Sequence, residues 1–405
     1  MIFTLEALKA AYGDALLLHF GPTKAPNLAI IDGGPSGIYQ SVLKPRLAEL
    51  MKNKKRLKSG RLPIRLVMVS HIDDDHVNGI LAMANELADS PGKQPYRIES
   101  LWHNSFDDLL GNSGEELAAS LATAVRQVLV SGKLPAGSPL REVHTGLVIA
   151  SVKQGRELRQ AATRLGWDIN KEFGGKLVRA GKKGTPPIPM DPKGGMTLRV
   201  LGPQEARLNA LRKEWDKQLN KMGLARNAAQ AAEYADRSVF NLSSLVVLAE
   251  APGSDGGKTR RMLLTGDARG DHVLDGLKAA GLLKGGKCHV DLLKLPHHGS
   301  NRNLEPEFFA AVTADHYIVS SNGEKFDNPD RETLDWLVAA RQGGGPFTIH
   351  LTYPVEEFQF KKRKTIRKEL KALIDAGENT GAYRVICREP GAPSVRVDLG
   401  DPLTE

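Results

Sequence analysis

The sequence predicts an α/β protein with two facing β-sheets flanked by helices, in the order αβ/βα. Two observations predict it. Short apolar runs bounded by Gly, Pro and Asp recur along the chain, which is how buried strands read. Three of these runs lead into a His or Asp at Ser70-His71, Gly266-Asp267 and Pro296-His297. Ligands collect at the carboxyl ends of such strands, so these ends are expected to share one edge of the sandwich.

Taken in order, Ile2 to Leu5 and Ala15 to Phe20 read as strands around a turn at Tyr12-Gly13-Asp14. Leu28 to Ile31 is a third strand, ending in Asp32-Gly33-Gly34. Residues 38–58 have helical character and a Lys/Arg-rich end. Leu62 to Ser70 is apolar almost throughout and reads as a buried strand running into His71; Val77 to Leu87 then has helical spacing, giving a βα unit. Residues 113–180 read as mostly helical, with Leu117, Leu121, Ala124 and Val128 at helix spacing and Arg156 to Leu165 as a second helix. Residues 181–195, rich in Gly, Pro and Lys, form a loop. Met196 to Leu201 is a strand, and residues 204–222 a highly charged, solvated helix. Strands follow at Leu245 to Ala249, Met262 to Leu264, Val290 to Leu295 and His316 to Ser320, with Phe347 to Thr352 as the last core strand. One domain over residues 1–405 is expected, with 105–195 a helical insert placed as a lid or specificity element. Residues 340–405 add C-terminal strands and a basic helix.

At 41% hydrophobic and 25% charged, the chain is too apolar to be largely disordered. No apolar run reaches the roughly 18 residues a spanning helix needs, so no membrane span is expected. The apolar N-terminal stretch is broken by Glu6, Lys9 and Asp14 and lacks a basic segment before it, so no signal peptide is expected. Cys288 and Cys387 are too far apart in sequence for a disulfide framework or a cysteine-built metal site, and a cytoplasmic location is the expectation. A formal charge of +9 is compatible with an anionic partner, nucleic acid or a phosphorylated substrate such as a nucleotide, and equally with a solvated basic surface. The densest basic runs are Lys52 to Lys58 and Lys361 to Lys371. Phe358 and Phe360 lie just before the second, where they could stack on bases, although a solvated helix face is the plainer reading.

The chemistry concentrates in Ser70-His71-Ile72-Asp73-Asp74-Asp75-His76. A tight loop there can send His71 and Asp73 to one ion and Asp75 and His76 to its neighbour. Imidazole with carboxylate suits Zn²⁺, and a larger carboxylate share suits Mn²⁺. This His-x-Asp-x-Asp-His cluster resembles the second motif of the metallo-β-lactamase fold, in the variant carried by the ComEC-type hydrolase domain and its stand-alone relatives. The resemblance continues through Gly13-Asp14, Asp32 to Gly34, Ser244 to Val247, Leu263 to Asp267 and Leu293 to Ser300.

That resemblance implies a metal-dependent hydrolase using a metal-bound hydroxide, most naturally on phosphodiester bonds, with two Zn²⁺ ions, or Mn²⁺ in their place. It implies His71 and Asp73 on the first ion, Asp75 and His76 on the second, and Asp267 bridging them. His297 and His298 correspond to the family's paired histidines, one a ligand or proton donor; Asp75, His297 and His298 are the catalytic candidates. His103 is the candidate for the histidine that completes the first site in many members. Asp32 is expected behind a ligating histidine, accepting its second N–H. Asn328 stands where the ComEC-type group tends to carry a histidine before proline, and an amide is the poorer ligand for Zn²⁺. Two other readings fit the residues: an ester, lactone or thioester hydrolase of the same fold, and a degenerate metal-binding interaction module.

Overall fold

The structure, a computed structural model, describes residues 1–105, 108–109, 142–191, 195–210, 213, 243–253, 257–359 and 363–404. It is a mixed α/β fold, the class the sequence predicts. The N-terminal strands are β1 (Ile2–Leu8), β2 (Leu16–Gly21), β3 (Asn27–Ile31), β4 (Leu62–Ile64), β5 (Leu66–Met68), β6 (Tyr96–Ile98) and β7 (Leu101–Trp102). The later ones are β8 (Ile188–Pro189), β9 (Thr197–Gly202), β10 (Val246–Ala251), β11 (Arg260–Leu264), β12 (Cys288–Lys294), β13 (Val312–Val319), β14 (Phe347–Leu351), β15 (Tyr383–Cys387) and β16 (Ser394–Asp398). The α-helices include α1 (Lys44–Leu50), α2 (Asp74–Asp89), α3 (Glu142–Arg164), α4 (Gly270–Ala279), α5 (Pro306–Ala311), α6 (Arg331–Ala340) and α7 (Ile366–Thr380).

One sheet has the order β16-β1-β2-β3-β5-β7, the other β15-β14-β13-β12-β11-β10-β9-β8. Strand alternation sets which residues face which core. Phe3, Leu18, Ile31 and Met68 of the first sheet share a core with Val247, Met262, Leu292 and Ile318 of the second, so the sheets face each other. The opposite face of the first sheet puts Leu17, Ile30 and Val67 against Leu47 of α1, Ile80 of α2 and Leu158 of α3. The opposite face of the second puts Leu263 and Leu293 against Val273 of α4, Phe308 of α5, Leu337 of α6 and Leu370 of α7. Each such aliphatic side chain, buried fully, contributes roughly 1.5–3 kcal/mol. Strands β3, β5 and β7 run parallel, as do β11 to β15, so several of their carboxyl ends can feed one edge.

The structure corrects three expectations. The run Leu62 to Ser70 is not one strand: β4 pairs with β6 in a small separate sheet, and β5 restarts at Leu66. Phe347 to Thr352 is not the last core strand, because β15 adds parallel to β14 and β16 closes the first sheet against β1. Within the 105–195 segment, Leu158, Ala161 and Ala162 of α3 lie in the core with α2. Phe358 is fully buried among the α7 side chains and offers no face to a base. The expected helical repeat from Leu117 to Val128, most of the 204–222 helix, and Phe360, Lys361 and Lys362 lie outside the described residues.

Glu6, on β1, is buried with three polar partners. It meets Nε2 of His19 at 3.0 Å, accepts from Nε of Arg46 at 2.8 Å and accepts from Oγ of Ser394 at 2.6 Å. Burial pushes its carboxyl up, but His19 and Arg46 outweigh burial and hold it at about 2, against an ordinary 4.5. A depressed carboxylate stabilises the fold fully above its unfolded value, and that contribution is lost as pH falls through the folded value. The thermal midpoint is therefore expected to drop between about pH 4.5 and 2, and Glu6→Gln to flatten that part of the profile. Parallel profiles for the two proteins over this window would assign the acid sensitivity elsewhere.

Candidate metal centre

The edge where the strands end is built from six short segments. β5 delivers Ser70 and His71, and the next residues turn into α2, whose first turn holds Asp74 and Asp75 against the positive end of the helix dipole. Val77, Ile80, Leu81 and Ala84 bury the apolar face of α2, which fixes His76 among them. β3 delivers Asp32, β11 Asp267, β12 Lys294 followed by His297 and His298, and the turn before β2 delivers Asp14. Gly13 is needed in that turn because a Cβ on it would sit 2.0 Å from the Asp75 carbonyl oxygen.

Asp267 lies at the centre. Its Oδ1 is 3.4 Å from Nε2 of His76, and its Oδ2 is 3.8 Å from Nε2 of His71 and 3.6 Å from Nε2 of both His297 and His298. Nε2 of His71 is also 3.3 Å from Oδ2 of Asp73, and Nε2 of His298 is 3.7 Å from Oδ2 of Asp75. The two histidines after β12 both have left-handed backbones, φ 47° and 55°, a geometry that costs roughly 1–3 kcal/mol per residue. That geometry lets two adjacent side chains aim at one carboxylate.

Hydrogen bonds behind the cluster fix which imidazole nitrogen faces it. Asp32 accepts from the Ser70 amide at 2.6 Å and from the Ser70 hydroxyl at 2.7 Å, and its Oδ2 is 2.8 Å from Nδ1 of His76. The Ser70 hydroxyl has spent its proton on Asp32, so at 3.0 Å from Nδ1 of His71 it can only accept. Nδ1 of His298 donates to the Ser320 carbonyl at 2.7 Å. In all three rings Nδ1 carries a proton, so Nε2 is the nitrogen left to face inward. Nε2 of His71, His76 and His298 and Oδ1 of Asp267 are buried without a hydrogen-bond partner. Buried polar atoms are normally satisfied, so four orphaned polar atoms converging on one point fit a bound cation. Candidate ligand atoms fall together as His71, His76 and Asp267, and as Asp75, His76 and His298.

The electrostatics agree with that fit. Burial pushes the Asp267 carboxyl up, but His76, His298 and His297 hold it well below the carboxylate range. Burial acts the same way on Asp75, and His298 and His76 bring it to about 2. Burial should discharge His298, yet Asp267 and Asp14 raise it to about 9; His76 is raised well above its ordinary value by Asp267 and Asp32 against the same penalty. With no ion, these carboxylates are balanced by protons on imidazoles, which a divalent cation displaces on binding. His297 goes the other way, lowered chiefly by burial.

Of the residues singled out from sequence, His71, Asp73, Asp75, His76, Asp267, His297 and His298 come together, with Asp32 behind His76 as expected. His103 does not join them. It is in none of the candidate groups among the described residues; its Nε2 meets the Gly155 carbonyl at 3.1 Å, and burial brings it to about 4. It packs between β7 and α3, an ordinary core position. Asn328 turns its amide toward the His297 carbonyl, 3.5 Å away. Sequence reasoning missed Asp14, Lys294 and Ser70. Lys294 is 1% exposed and pairs with Asp14, whose Oδ1 is 3.4 Å from Nδ1 of His298. Both belong to quoted motifs, and an unpaired charge inside an apolar run was the available signal.

No family model matches the chain. Over an alignment 138 residues long that takes in 31% of this chain, it is 26% identical to microtubule-associated protein 1A of Rattus norvegicus and of Mus musculus, and 25% identical to that of Homo sapiens. The chain spans 5% of the length of these relatives. No helix among the described residues is long and apolar enough to cross a membrane.

Proposed function

We propose that this chain is a metal-dependent phosphodiester hydrolase with the four-layer αβ/βα arrangement of the metallo-β-lactamase fold. The observation that carries the reading is the set of three imidazoles, each locked with Nε2 bare and facing Asp267. His71, His76, His298, Asp73, Asp75 and Asp267 would hold one or two divalent ions, Zn²⁺ or Mn²⁺. Such ions bring an acidified water and draw charge from a phosphoryl oxygen. Asp267 reaches both halves of the ligand set because its two oxygens face different imidazoles. Asp32 and Ser70 keep His71 and His76 in the required tautomer. His298, buried and tied to Ser320, is the ligand of the histidine pair. His297 is the more open of the two, with its side chain 20% exposed, and is placed to donate a hydrogen bond to the substrate at the edge of the cluster.

An anionic substrate fits the surface. A cavity of about 750 Å³ at the far end of β2 from the cluster is lined by Lys24, Lys52, Lys54, Lys55 and Arg56, with Arg46 beside Glu49. In the second basic run, Arg363 is already engaged with Asp330 and Glu369. A second reading, an interaction module with a structural metal, draws on Asn328 and on the partial likeness to microtubule-associated protein 1A.

Elemental analysis of the purified protein, then turnover of bis(p-nitrophenyl) phosphate and p-nitrophenyl acetate with Zn²⁺ and Mn²⁺ supplied separately, tests the choice. Bound metal with phosphodiester turnover at least about tenfold above that of His71→Ala is expected. Bound metal with ester turnover alone would move the reading to the ester hydrolase, and bound metal with neither to the interaction module.

A further inference from the structure

Phe326 is 42% exposed, one of two large hydrophobic side chains left in solvent among the described residues. It is not alone at the surface. Its ring meets that of Tyr12 edge-on, with centroids 6.3 Å apart and planes at 86°. Nζ of Lys325 lies 4.6 Å from the Tyr12 centroid and 5.0 Å from that of Phe326. Two aromatic rings and an ammonium group therefore form one small patch, with Glu324 beside it and held to Asn322.

The patch is fixed to the candidate metal centre through both of its loops. Tyr12 precedes Gly13 and Asp14, and the Asp14 amide donates to the Asp75 carbonyl at 3.2 Å. The Ser320 hydroxyl donates to the Gly13 carbonyl at 2.8 Å, and the Asn322 amide donates to the Ala11 carbonyl at 2.9 Å. The loop bearing Lys325 and Phe326 is closed by the Asp327 amide donating to the Gly323 carbonyl at 2.9 Å, and its Asn328 reaches the His297 carbonyl. Asp75 and His297 are thus held by the same segments that hold the rings.

We propose that Tyr12, Lys325 and Phe326 are the docking platform for a nucleobase whose phosphodiester lies at the metal centre. This deepens the hydrolase reading and rests on it. A base is planar and apolar on its faces, which an exposed aromatic ring accepts by stacking in any sequence. The ammonium group answers the phosphate, and its place over the rings holds it at the platform. An aliphatic ester or lactone has neither a π face nor a charge to use there. The base-bearing ligand has two sources, a free nucleotide and a nucleic-acid strand.

The test compares thymidine 5′-(p-nitrophenyl phosphate) with methyl p-nitrophenyl phosphate in the wild type, Phe326→Ala, Phe326→Trp and Lys325→Gln. Phe326 is exposed, so these variants should fold. Phe326→Ala is expected to cut the preference for the base-bearing substrate about 5- to 100-fold, through KM, with Phe326→Trp restoring it. An unchanged preference in Phe326→Ala overturns the proposal. If the metal-loaded wild type turns over neither substrate, the hydrolase reading has failed, and calorimetry with thymidine 5′-monophosphate and methyl phosphate judges the platform separately. Tighter binding of the nucleotide by wild type, lost in Phe326→Ala, supports it; equal affinities overturn it. Single-stranded oligothymidylate binding more tightly than the mononucleotide identifies a strand as the source, equal binding a free nucleotide, and both support the platform.

Discussion

Asp267→Ala is expected to strip most of the bound metal from the purified protein. The carboxylate faces four imidazoles, with Oδ1 toward His76 and Oδ2 toward His71, His297 and His298. For a cation placed among the inward Nε2 atoms, Asp267 is the carboxylate that faces His71 and His76 on one side and His298 on the other. Removing it takes away ligand atoms and the negative charge that offsets a divalent ion in a low-dielectric site. Asp32→Ala is the control, because Asp32 touches the Nδ1 side of His76 and the Ser70 hydroxyl and not the inward face. Loss of an outer partner of this kind weakens metal binding or activity about 10- to 100-fold. Elemental analysis should rank wild type, Asp32→Ala and Asp267→Ala in falling order. Full metal content in Asp267→Ala would remove the bridging role and leave the ions, if any, to Asp73 and Asp75.

That ranking was legible in the sequence only in part. Strand ends were readable because buried parallel strands are apolar on both faces, so a His or Asp directly after one stands out. That contrast picks out Asp32, His71, Asp267, His297 and Asn322; which of them would hold metal was implied by the family resemblance. Asp14 and Lys294 did not stand out, because a lone charge beside a strand reads as a boundary until its partner is known. Their pairing is between segments 280 residues apart in sequence. His103 misled for the opposite reason: it follows β7 just as His71 follows β5, yet its ring turns to Gly155 of α3. Strand-end position gives the edge; side-chain direction depends on which helix packs there. The histidine pair adds a further point, since left-handed backbone at both His297 and His298 is what turns two adjacent rings toward Asp267, and nothing in Pro-His-His-Gly announces it.

Lys294→Met is expected to destabilise the fold through charge rather than volume. Lys294 and Asp14 are each 1% exposed, and the Lys294 ammonium is in direct contact with Oδ2 of Asp14. Burial pushes the Asp14 carboxyl up, and Lys294 leads the groups that hold it below the usual range, followed by His298. Such a pair adds little over an apolar pair of the same shape, but breaking it leaves a buried charge unanswered at a cost of about 3–5 kcal/mol. At the entropy of unfolding typical per residue, a chain of this length shifts by roughly 1 °C for each kcal/mol, so a fall of about 4 °C in the thermal midpoint is expected. Asp14→Asn added to Lys294→Met should recover a substantial part of the loss, since the orphaned carboxylate is then gone. A double variant as unstable as the single one would mean that Lys294 serves the core by packing its methylenes and not by answering Asp14.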